Sequence, residues 1–190
     1  MRFCSDRRGV AAIEFAFIVP VLLIMYFVTM EASQAIETSK KVSRIGSMVA
    51  DLITQQQTIV AADIDAIMKI GTSTLQPYQR STPNIIVTAI QMTDDASPTA
   101  KVVWSRKVVA GTYSADAKKD DPTTVPATLR IRNTFLIRVE SKLGYKPIIS
   151  WDPDNAKRIG LTSSFFSTIN MGETYYLRPR RSTTIPCGNC

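Results

Sequence analysis

Glu14 is the residue whose placement asks most plainly for a chemical explanation. It is the only charge in an apolar run from Val10 to Met30, preceded by Arg7-Arg8-Gly9. A carboxylate inside such a run costs about 2.5–3.5 kcal/mol on membrane-insertion scales, so it calls for a partner or a task. The second chemical group is Cys187-Gly188-Asn189-Cys190, with Cys4 far away in sequence. A redox-active C-x-x-C normally opens a helix in a thioredoxin-like fold. This one follows Pro186 in a tail, and an exported pair is expected to oxidise to a structural or intermolecular disulfide. Asp63 with Asp65 and Asp94 with Asp95 are paired by adjacency only, which suits helix caps and turns better than acid–base work. Arg178, Arg180 and Arg181 form the best candidate basic patch. Trp104 and Trp151 could stack on a sugar, although core packing is the commoner role.

Composition narrows the chemistry further. The 190 residues contain no histidine. This removes the commonest general base, the histidine-assisted nucleophile pairs and the usual zinc ligand set. No glycine-rich phosphate loop or metal-spaced carboxylate set is present, so the expectation is a protein without catalytic, cofactor-binding or metal residues. Of the net charge of +7, +6 lies beyond Met30, but its lysines and arginines are interleaved with acids. That pattern suits a solvated surface or an anionic envelope surface, with no nucleic acid expected as partner for an exported domain.

These groups need elements to place them. As a helix, residues 10–30 span about 31 Å at ~1.5 Å per residue, close to the ~30 Å hydrocarbon core of a bilayer. A cleavable secretory signal has a shorter apolar core and a small-residue cleavage site. A buried core helix would need an apolar wrapping that the rest of the chain does not supply. The reading is therefore a membrane span. Arg2, Arg7 and Arg8 favour a cytoplasmic N-terminus, against a milder pull from Lys40, Lys41 and Arg44.

Helical pattern continues past the span, with Ile36, Ile45, Val49, Leu52 and Ile53 taken as one apolar face. No proline falls between Val21 and Gln76, so one helix to about Thr54 is expected. Gln55-Gln56-Gln57-Thr58 reads as a break, followed by a short helix with Ile59, Ile64, Ile67 and Met68, closed by Gly71. Strands are expected at Asn84–Met92, at Lys101–Arg106 as its hairpin partner, and at Thr134–Ser141 as a central strand with one wet face. Residues 111–126 read as a loop. Tyr145–Trp151 reads as extended but interrupted by Pro147, and Glu173–Arg181 as a last strand running into the basic tail. The fold class is α+β, with residues 1–9 as a cytoplasmic leader and 10–30 as a transmembrane helix. Residues 31–76 form a helical stem, and 77–190 an extracytoplasmic antiparallel-sheet domain.

The run Gly9-Val10-Ala11-Ala12-Ile13-Glu14-Phe15, with Pro20 six residues after the acid, resembles the start of TadE/TadG-like proteins of tight-adherence (Flp-type) pilus systems. These are minor pilins or pseudopilins of the type IV pilin superfamily. The plan of anchor, helical stem, extracytoplasmic α+β region and arginine-rich tail ending in cysteine is also similar. The resemblance implies a single-pass protein of the bacterial inner membrane, with its C-terminal domain periplasmic or extracellular. It implies prepilin-peptidase cleavage between Gly9 and Val10, leaving Glu14 as the fifth mature residue beside Phe15. Membrane lipid, other pilus or pseudopilin subunits and inner-membrane assembly proteins are the implied partners. A freed amino group at Val10 lies about one helical turn from Glu14, and an opposite charge there, or on a neighbouring subunit, offsets the acid's desolvation. Pro20 removes one helical hydrogen bond and permits a kink. Two further readings stand beside it: an uncleaved envelope-anchored module binding an anionic surface or polysaccharide, and a thiol oxidoreductase using the terminal cysteines.

Overall fold

The computed structural model describes residues 10–78, 80–147 and 168–190. It divides into two compact units, Met1–Glu37 and Thr38–Cys190. Helix α1 (Val10–Thr54) contributes to both. It runs unbroken through Pro20, whose missing N–H leaves the Ala16 carbonyl without its usual intrahelical donor.

Within the first unit, α1 carries no charged side chain from Phe15 to Met30 and exposes apolar ones all round. Phe15, Phe17, Leu22, Ile24 and Tyr26 are all exposed, and the Thr29 hydroxyl donates back to the Met25 carbonyl at 2.7 Å. That internal bond satisfies the hydroxyl without water, as a hydrocarbon setting requires.

The second unit holds the remainder of α1, helix α2 (Ala61–Ser73) and one antiparallel sheet. Its strands are β1 (Asn84–Met92), β2 (Ala100–Val109), β3 (Thr112–Ala115), β4 (Pro122–Thr123), β5 (Phe135–Tyr145) and β6 (Ile169–Leu177). The order is β3-β2-β1-β5-β6, with β4 also paired to β2. Alternation along β1 turns Ile85, Val87 and Ala89 into the main core, where they meet Val42, Ile45, Val49 and Ile53 of α1. Ile64 and Met68 of α2 and Ile137 and Val139 of β5 complete that layer. Each such aliphatic side chain contributes about 1.5–3 kcal/mol when fully buried.

Two glycines let the layers approach. A Cβ on Gly46 would lie 2.8 Å from Ser141 Oγ and 2.9 Å from the Tyr175 ring. Around this contact the Ser141 hydroxyl donates to the Val42 carbonyl at 3.0 Å, and Ser43 Oγ lies 2.5 Å from Tyr175 Oη. A Cβ on Gly71 would meet Val49 at 2.9 Å and Ile45 at 3.1 Å.

Several expectations change at this level. Gly71 does not close α2, which runs on to Ser73; the glycine is instead a buried packing contact with α1. Ile36 is 60% exposed, because nine residues before Ile45 it points roughly 180° away at ~3.6 residues per turn. Residues 111–126 are not only loop: they contain β3 and β4. The β2–β3 hairpin turns on Ala110 (φ 49°) and Gly111 (φ 81°), the positive-φ pair of a two-residue turn. The outer face of β5 is not uniformly wet, since Leu136 packs with Ile90, Met92, Ala100 and Val125 in a second cluster. The last strand begins earlier and stops sooner than its composition suggested, at Ile169 and Leu177. Tyr145 ends β5, whereas residues 148–151 of the expected extended stretch, Trp151 included, lie outside the described residues.

Candidate functional site

The sequence candidates fall into two separate groups. The first is on α1. Glu14, Phe15 and Pro20 all lie in its N-terminal part, with Glu14 one turn after Val10 and Phe15 68% exposed. Gly9, the other half of the candidate cleavage site, lies outside the described residues. The helix is long and apolar enough to cross a membrane, and none of its most apolar window is buried. A helix apolar on all sides has no stable place in water; it requires lipid or other apolar helices around it.

The second group is the tail. Arg180 is ion-paired with Asp51 near the end of α1 at 2.7 Å, and its backbone N–H donates to the Thr54 carbonyl at 2.9 Å. Arg178, Arg180 and Arg181 are all exposed. Arg180 differs in that its side chain and backbone both bond the end of α1. Cys187 and Cys190 are joined by a disulfide. Trp104 is buried, and its indole N–H donates to the Ile185 carbonyl at 2.8 Å. That side chain is core and presents no sugar platform.

Asp63 and Asp65 have partners within the fold, one local and one distant. Asp63 Oδ2 accepts from the Val60 N–H at 3.4 Å, at the start of α2. Asp65 takes a bidentate grip from Arg106, at 2.5 Å from Nε and 2.6 Å from Nη2. This hydrogen-bonded pairing raises the Arg106 pKa above its ordinary value, against the opposing effect of burial. Burial, and secondarily the Asp65 charge, pushes the Tyr113 hydroxyl up as well. Sequence reasoning missed the Asp65–Arg106 pair because its members lie in different elements with no shared local pattern. Among the described residues no group of three or more histidine, cysteine or carboxylate side chains is placed to hold a metal.

Chemically, the arrangement offers an apolar helix with one acid near its start, and a sheet domain in which Asp63, Asp65, Trp104 and Arg180 bond within the fold. Residues 9–44 match the family model described as TadE-like protein, the same family that the N-terminal motif resembles. No curated protein and no solved structure matches the chain significantly. The apolar helix and this match together make the N-terminal segment a single-pass membrane anchor.

Proposed function

We propose that the chain is a membrane-anchored minor pilin or pseudopilin-like protein that supports assembly of a tight-adherence (Flp-type) pilus. The observation that carries this reading is the TadE-like match over residues 9–44, which falls on the segment containing both Glu14 and the exposed apolar helix. The work is protein–protein contact, not catalysis. Partners are other pilus or pseudopilin subunits and inner-membrane assembly proteins, reached sideways within the bilayer through the face around Phe15 and Ile18.

In this reading a prepilin peptidase cuts between Gly9 and Val10. The new ammonium at Val10, in its own chain or in the next subunit, pairs with Glu14 and sets the axial register. The N-terminus stays cytoplasmic and the sheet domain lies outside the inner membrane, as the arginines before the span favour. Pro20 supplies a point where the helix can bend, since one backbone bond is already missing. The alternative of an uncleaved module binding an anionic surface has less to draw on, because Arg180 already has Asp51 as its partner.

A strain lacking this chain is expected to lose surface pili and adherence, and the full chain is expected to restore both. Electron-microscopic counting of pili checks this. Normal piliation without the chain would exclude the assembly role and leave the binding-module reading.

A further inference from the structure

The tail from Arg180 to Asn189 is bonded to the corner between α1 and α2 at successive points. Beyond the Arg180 contacts with Asp51 and Thr54, the Ile59 N–H donates to the Pro186 carbonyl at 3.1 Å and the Gly188 N–H returns to the Ile59 carbonyl at 3.1 Å. These two bonds make a parallel bridge between Ile59 and Cys187. Ile185 is fully buried in the main core, and its carbonyl takes the Trp104 indole. Two residues past Ile59, the Ala61 N–H donates to Asn189 Oδ1 at 2.8 Å.

That last bond has a specific meaning. The N-cap position of α2 is Val60, whose side chain has no oxygen to offer an orphan N–H at the helix start. Asn189 accepts from another of those orphan donors, the N–H of the first helical residue Ala61, 128 residues away. It sits between the two cysteines, so the disulfide ring fixes the backbone that aims its side chain. Gly188, Asn189 and Cys190 are exposed and Cys187 is half-buried, so the bond lies where a thiol reagent reaches it.

We infer that the Cys187–Cys190 ring is a redox latch: closed, it holds Asn189 as the cap of α2 and the tail as a strap across Ile59; open, it releases both. Closure is a disulfide exchange. One cysteine thiolate attacks the disulfide of a thiol–disulfide oxidoreductase, the second displaces the mixed disulfide, and the oxidoreductase leaves as its dithiol. The pair gives up two electrons and two protons, and a dithiol reductant reverses the step. The α1–α2 corner is then fully capped only after an oxidising step. This inference stands apart from the pilus reading.

Hydrogen exchange on the full chain in detergent, in a Cys4→Ser background, tests it. Reduction should speed exchange roughly tenfold across residues 58–64 and 180–189, the size expected when a helix cap is lost, while β1 and β5 stay at their oxidised rates. Asn189→Ala, kept oxidised, should speed Ala61 and its neighbours without loosening Arg180. Unchanged exchange at 58–64 on reduction would overturn the latch. So would an equal rise throughout β1 and β5, which would make the disulfide a global staple. Parent-rate exchange at Ala61 in Asn189→Ala would overturn the capping role.

Discussion

Replacing Glu14 by alanine leaves the protein in the membrane at parental level and removes piliation, with pilus counts falling on the order of tenfold or more. The two halves of this expectation follow from one balance. Removing a carboxylate from an apolar helix relieves up to about 2.5–3.5 kcal/mol of insertion cost, so membrane localisation is maintained or improved. In the proposed assembly, the same change leaves an ammonium without its partner among desolvated helices. Breaking a buried pair from one side costs about 3–5 kcal/mol, ample for a tenfold loss at ~1.4 kcal/mol per decade. Glu14→Gln keeps the shape and some hydrogen bonding but not the charge, and is expected to fail as well. Membrane fractionation and pilus counts on the same cells separate the effects. Wild-type piliation in Glu14→Ala would remove the acid from the assembly mechanism.

The sheet domain carries the second large effect, at Trp104. Only 4% exposed, it packs in the main core and bonds the Ile185 carbonyl of the tail. Truncating a buried tryptophan to alanine costs about 3–5 kcal/mol through lost transfer energy and the cavity left behind. For a domain of this size that lowers the melting temperature by roughly 10 °C, at ~2–4 °C per kcal/mol. The Ile185 carbonyl loses its donor in the same change, which adds to the cost. Ile131→Ala is the control: an exposed side chain whose truncation should stay within about 0.5 kcal/mol. Thermal unfolding of the two variants checks the contrast. Equal melting temperatures would mean that Trp104 does not tie the tail to the core.

What the sequence made legible was whatever has a local period or a local boundary. Pro83 and Asp94-Asp95 bracketed β1 so clearly that its observed range, Asn84–Met92, is the one expected. The long proline-free run marked α1 as continuous, and Gln55-Gln56-Gln57-Thr58 marked its end at Thr54. The acid in the apolar segment was visible because charge in such a run is conspicuous. Short strands among turn residues were hidden: β3 follows an alanine at positive φ, a position composition would not assign to alanine. Contacts across the fold were hidden too. Nothing near Asp65 announces Arg106, and nothing near Val60 announces that Asn189 will cap its helix. Gly71 shows how one residue type serves two ends, since a glycine near a helix terminus and one making room for Val49 look alike in sequence.

The most direct measurement on the central claim is the intact mass of the chain extracted from membranes of a strain with an active prepilin peptidase. The proposal requires a mature protein that starts at Val10 and has lost residues 1–9, with Glu14 as its fifth residue. A chain that still starts at Met1 in that strain would contradict processing, and with it the pairing of Glu14 to a freed N-terminus.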